Sequence, residues 1–198
     1  MKNKKYFSKV VTQLFLVAGF LFLIFSACQK NDIKVVSSEL GTTTAGSTGT
    51  SGTNFPCSPA LNKIIFFGST FPDFTTLSDS SIFVNGYYTL HGYEYVNGYY
   101  RYVNIVLPSA TAPTSSGIYT VNSGFWTSPN LVAGSCAVKF YQQFNGGYNY
   151  GYPNSGELIY IEVNGATITG AFCAVNCYGF DNSGSAMQNY QAGGKISN

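Results

Sequence analysis

The sequence predicts an all-β, antiparallel meander that closes as a β-sandwich or flattened barrel of about eight to ten strands. Three observations carry this expectation. From Phe55 onward, short runs of alternating apolar and polar residues are broken by Asn-Gly, Gly-Gly and Pro turns. No stretch there repeats apolar residues at a helical period. The block Val-Asn-Gly-Tyr-Tyr occurs twice, at Val84–Tyr88 and Val96–Tyr100. Asn-Gly between alternating runs is a strong hairpin signal, because a type I′ turn needs φ > 0 at both central residues. Closure follows because an open sheet would leave one apolar face wet.

In chain order, strands are predicted at Asn62–Phe67, Ser80–Val84, Tyr87–Val96, Tyr99–Leu107, Gly117–Val121, Cys136–Phe144, Glu157–Val163, Thr167–Val175 and, briefly, Gly194–Ser197. With Asn97-Gly98 as a two-residue loop, Val96 faces Tyr99, Tyr95 faces Tyr100, Glu94 faces Arg101, Tyr93 faces Tyr102 and His91 faces Asn104. Tyr88, Leu90, Val96, Val103, Ile105 and Leu107 then share a core face, with Glu94–Arg101 near its tip. Tyr87, His91, Tyr93, Tyr95, Tyr100 and Tyr102 share the other. Asn164-Gly165 is predicted as a third tight turn, with Val163 opposite Ala166. The segment Gly146–Gly156, "GGYNYGYPNSG", reads as a loop carrying Tyr148, Tyr150 and Tyr152.

The first residues have a different character. Lys2, Lys4, Lys5 and Lys9 precede an uncharged apolar stretch, Leu14 to Ala27, that ends in Ser26-Ala27 before Cys28. That is the layout of a secretory signal, and it is short for a membrane span. Phe25-Ser26-Ala27-Cys28 resembles a bacterial lipobox, with Phe where Leu is usual. The resemblance implies cleavage after residue 27 and a lipid on Cys28; the competing reading is an uncleaved anchor. Gln29, where an Asp would signal inner-membrane retention, implies the outer membrane, on its periplasmic or outer side. Residues 28–54 are rich in Gly, Ser and Thr and read as a tether with a reach of about 25–30 Å. The remaining 55–198 suits one β domain. Without the leader, six cations stand against eight acids, a net charge of six minus eight, or −2. No basic patch remains, which argues against nucleic acid as a partner.

Four cysteines follow Cys28, and an even number in an exported chain predicts two disulfides. Three connectivities are open. Pairing of the strands that begin at Cys136 and Glu157 would place Cys136 far from Cys173 and Cys177. This favours Cys57–Cys136 with a local Cys173–Cys177 bridge, the latter needing a bulge near Ala174–Asn176. A four-cysteine zinc site is the rival, and no metal or other cofactor is expected.

Catalytic patterns are sparse. His91 is the one histidine, and no Gly-x-Ser-x-Gly, phosphate loop or His-x-x-x-His occurs. Glu157 and Glu162 point to opposite faces of one strand, so they do not form a glycosidase pair. Asp181–Gly184, "DNSG", reads as an Asx turn rather than a calcium loop. The expected function is therefore non-catalytic. One reading is a binding module for carbohydrate or another extracellular ligand, using Tyr87, Tyr93, Tyr95, Tyr100, Tyr102, Trp126, Tyr148, Tyr150 and Tyr152. The other is a structural or protein-interaction lipoprotein of the envelope, in which tyrosine serves as a strand former.

"SGELIYIEVNGATITGAF", Ser155–Phe172, resembles a group of small Bacteroidota lipoproteins in its Gly, its alternating apolar residues, its tight turn and its Ile-x-Gly-x-Phe. Gly117-x-Tyr119 and the closing Gly194-Lys195-Ile196 fit the same pattern. The four domain cysteines and the tyrosine repeat depart from it. The resemblance implies a lipid-anchored β domain and brings no catalytic residues.

Overall fold

The computed structural model describes residues 55–69, 71–180 and 188–198. The leader, Cys28, the tether and the Asp181–Gly184 turn lie outside the described residues. Among the described residues there are ten strands: β1 (Lys63–Phe67), β2 (Ser78–Val84), β3 (Tyr87–Val96), β4 (Tyr99–Val106), β5 (Gly117–Val121), β6 (Ser135–Phe144), β7 (Gly147–Pro153), β8 (Leu158–Asn164), β9 (Thr167–Phe180) and β10 (Gln188–Ser197). One turn of 3-10 helix, Ser123–Trp126, follows β5. The all-β class is as expected.

The strand order is β1-β10-β9-β8-β5-β6-β4-β3-β2, with β7 paired to both β6 and β9. The strands β5, β6, β7, β9 and β8 therefore bond in a ring. The inner faces meet across the fold: a Cβ on Gly170 of β9 would lie 2.6 Å from Ile105 Cδ1 and 3.1 Å from Leu90 Cδ1. A Cβ on Gly92 of β3 would lie 3.1 Å from Ile196 Cγ2 of β10. This is a sheet bent on itself, as a sandwich or flattened barrel requires. It is mixed rather than wholly antiparallel, because β5 runs parallel to β6.

The opening hairpins match the sequence reading. Asn85 and Asn97 both have φ 53° and Gly86 and Gly98 both have φ 82°, as type I′ turns demand. All five expected β3–β4 pairs form. Leu90, Val103, Ile105 and Leu107 are buried, and Glu94 pairs with Arg101 at 3.3 Å. Glu94 is only 4 % exposed and also accepts the backbone N–H groups of Thr75 and Thr76, so it clamps the loop before β2 to the sheet.

Five expectations are corrected. The third turn is Gly165-Ala166, not Asn164-Gly165: Asn164 pairs with Thr167, and of the two loop residues only Gly165 has positive φ (62°). A turn with Gly first of the two needs no positive φ at the second, so Ala fits there. The segment read as a loop contains β7, whose partner β6 is joined to it through Asn145-Gly146. Because β7 takes one edge of β6 and β5 the rest of it, β6 does not pair with β8.

The remaining two corrections concern the cysteines. The disulfide is Cys57–Cys173, not Cys57–Cys136 or Cys173–Cys177, and Cys136 and Cys177 are free and buried. The cause is a bulge in β9. Val175 pairs with Ala192 but Phe172 with Gly194, so Cys173 and Ala174 together oppose Gly193, with Ala174 at φ 48°. In an unbroken strand Cys173 and Cys177 would share a face. The extra residue inverts the alternation, leaving Cys173 half-buried and facing outward to Cys57 while Cys177 enters the core.

A candidate ligand surface of stacked tyrosines

Alternation on five neighbouring strands sends aromatic side chains to one outer face. β3 supplies His91, Tyr93 and Tyr95, β4 supplies Tyr100 and Tyr102, and β6 supplies Tyr141. β7 adds Tyr148, Tyr150 and Tyr152, and β9, past its bulge, adds Tyr178 and Phe180. The registers align them: Tyr93 opposes Tyr102, Tyr102 opposes Tyr141, Tyr141 opposes Tyr150 and Tyr150 opposes Phe180. With strands about 4.8 Å apart, the band runs roughly 19 Å across the sheet.

The rings touch without a break. Tyr102 and Tyr141 stack at 4.9 Å and 13°, Tyr141 and Tyr148 at 5.7 Å and 22°, Tyr148 and Tyr150 at 6.0 Å and 29°, and Tyr150 and Phe180 at 5.3 Å and 25°. Tyr95 meets Tyr100 at 5.0 Å, and Tyr152 meets Tyr178 at 5.7 Å. Rings stacked face against face present mainly edges and hydroxyls outward, so this is a file of parallel rings rather than a coplanar floor. Among the described residues no second sheet covers it. Tyr95 is 68 % and Tyr148 42 % exposed, and most of the others are half-buried.

Burial, with Tyr141 and Tyr100 adding to it, pushes the Tyr102 pKa up to about 12. Burial likewise raises Tyr100 and, further, Tyr152. Among the described residues the Tyr100 hydroxyl bonds His91 Nε2 at 2.9 Å, while His91 Nδ1 lies 2.6 Å from Asn104 Oδ1. Among the described residues the hydroxyls of Tyr93, Tyr95, Tyr102, Tyr141, Tyr148, Tyr150, Tyr152 and Tyr178 have no hydrogen-bond partner, and they are not sealed in the interior. They form a row of hydroxyls that can donate to or accept from a ligand.

Tyr93, Tyr95, Tyr100, Tyr102, Tyr148, Tyr150 and Tyr152, expected from sequence, are thus joined in one surface. Trp126 reaches its margin, 6.1 Å from Tyr152. Tyr87 does not belong: it packs at 5.6 Å on Phe125, in a small second core with Val106, Leu131 and Ala137. Tyr141, Tyr178, Phe180 and Lys139 were not foreseen. Tyr141 was legible as an outward position of β6; Tyr178 and Phe180 were not, because the strand was expected to stop at Val175. Cys136 and Cys177 take no part: burial drives both thiols far above their ordinary range, which leaves them protonated and inert. No group of three or more His, Cys, Asp or Glu suited to a metal occurs among the described residues.

Comparison of the chain with known protein families, with characterised proteins and with solved structures finds no match.

Proposed function

We propose that the chain is a lipid-anchored protein of the cell envelope whose β domain is a non-catalytic binding module, with a carbohydrate or another extracellular polymer as ligand. The continuous tyrosine band carries this reading. A hydroxyl-rich polymer is matched by the phenol hydroxyls and ring edges along the band and by the exposed side chains of Tyr95 and Tyr148. Two of the acids have structural partners: Glu94 holds Arg101 and the Thr75–Thr76 backbone, and Glu157 accepts from Asn176.

Lipid attachment at Cys28, an outer-membrane location and membership of the Bacteroidota lipoprotein group rest on the leader and on the Ser155–Phe172 pattern. A structural or protein-interaction role is the competing reading. It is favoured by the mutual stacking of the rings, since cross-strand aromatic pairs stabilise a sheet by about 0.2–1 kcal/mol each. A glycan array probed with the full-length chain in detergent, beside a pull-down from outer membranes, tests the proposal. Glycan binding is the expected result. Capture of envelope proteins with no glycan bound would favour the alternative.

A further inference from the structure

Lys139 is the cation set within the aromatic band. It projects from β6 opposite Asn104 of β4, half-buried, with Nζ 5.2 Å from the Trp126 ring centroid and 5.6 Å from that of Tyr150. Among the described residues no carboxylate lies within ion-pair distance of it; the ion pair formed there is Glu94–Arg101, on the inner face. Next to it a second donor is stranded: Trp126 Nε1 is buried and has no acceptor. A buried donor without a partner is uncommon in a folded protein, and a half-desolvated ammonium with only ring faces for company is a second unmet demand. Desolvation already lowers the Lys139 pKa, the mark of a charge that lacks its counter-ion. Both groups donate and neither accepts. Their complement is a group rich in acceptor oxygens and poor in hydrogens.

We infer that the ligand is an acidic glycan: its anionic group is received by Lys139 beside Trp126, and its sugar rings lie along the neighbouring tyrosines. This rests on the carbohydrate-binding reading above and narrows it to a charge class. A neutral glycan would leave Lys139 and Trp126 Nε1 as they are. An acidic protein segment would use the cation but not a band of this length and hydroxyl content. The ammonium is tied by no ion pair, and its flexible stem lets it turn from the rings to an arriving anion, opening the way to Nε1.

The chain contains a single tryptophan, so its fluorescence reports this corner of the band alone. The full-length chain in detergent is titrated with oligouronates and with sulfated oligosaccharides, each beside its carboxyl-reduced or desulfated counterpart. The expected result is a Trp126 fluorescence change and binding of one acidic series about tenfold or more tighter than its neutral counterpart, the scale of one charge-assisted hydrogen bond. Lys139→Met should abolish that preference without weakening binding of the neutral form, and Lys139→Arg should keep it. Which series responds separates a carboxylate from a sulfate ester. Equal binding of acidic and neutral forms would overturn the inference and leave the carbohydrate reading standing. Binding of no glycan at all would overturn both. The comparison of acidic with neutral ligand needs only the wild-type chain, so misfolding of a variant does not shield the inference.

Discussion

Gly151 lies in β7 between Tyr150 and Tyr152, with its missing side chain toward the core. A Cβ there would run into the Tyr190 hydroxyl, with Tyr190 Cζ at 3.1 Å and the Tyr178 carbonyl oxygen at 3.2 Å. Tyr190 cannot swing aside: it is 3 % exposed and held against Phe66 at 5.8 Å and Phe71 at 5.4 Å. Gly151→Ala should therefore cost about 1–3 kcal/mol by overpacking. The Tyr190 hydroxyl itself is buried without a partner. Tyr190→Phe should thus be neutral or stabilise by about 1–2 kcal/mol, since it removes a desolvated group that forms no bond. It also removes the atom that the new methyl would strike. In the double variant the Gly151→Ala cost should shrink, with a coupling of roughly 1–2 kcal/mol. Urea unfolding of the four proteins, at unchanged m-value, measures this. If Gly151→Ala costs the same with Phe at 190 as with Tyr, or if Tyr190→Phe alone destabilises by more than about 1 kcal/mol, the steric account of β7 is wrong.

Glu94→Ala should destabilise by about 3–5 kcal/mol in the same assay, because it strands Arg101 and two backbone N–H groups. The protein unfolded without reductant should take up alkylating reagent at Cys136 and Cys177 and not at Cys57 or Cys173; native protein should take up none at these sites. Reduction should cost about 4–5 kcal/mol, from a bridge between residues 116 apart. Tyr102 titrates at about 12 in the fold against 10.0 for a free phenol, so the folded state favours its protonated form. That contribution is whole below pH 10 and is lost as pH rises toward 12, and phenolate absorbance followed beside unfolding should show Tyr102 ionising as the fold loosens. Tyr93→Ser with Tyr102→Ser should lower stability modestly and abolish ligand binding, which calorimetry of the double variant decides.

The opening hairpins were legible because their information is local: Asn-Gly sets the turn, the turn sets the register, and the register sets both faces. Glu94–Arg101 followed from the same count. What failed needed partners distant in sequence. β7 hid behind two glycines and a proline, yet Gly151 and Gly179 are what leave room for Tyr190, a requirement visible only once β10 is in place. The disulfide went astray because it was placed from a pairing of β6 with β8 that does not form, and because the bulge at Ala174 turns Cys173 and Cys177 to opposite faces instead of bringing them together. The aromatic band was half legible for the same reason. Tyrosines on β3, β4 and the misread loop were marked as candidates, but only the sheet order places β7 next to β6 and so joins two separate clusters into one surface.

The most direct test of the account is affinity electrophoresis or column retention of the full-length chain on polysaccharides, wild type beside Tyr95→Ser with Tyr148→Ser. These two rings are the most exposed of the band, so their loss should change stability by no more than about 1 kcal/mol. The account predicts that the wild type is retarded and the double variant runs free at unchanged fold. Equal retention of both, or no retention of the wild type on any polysaccharide, would contradict it.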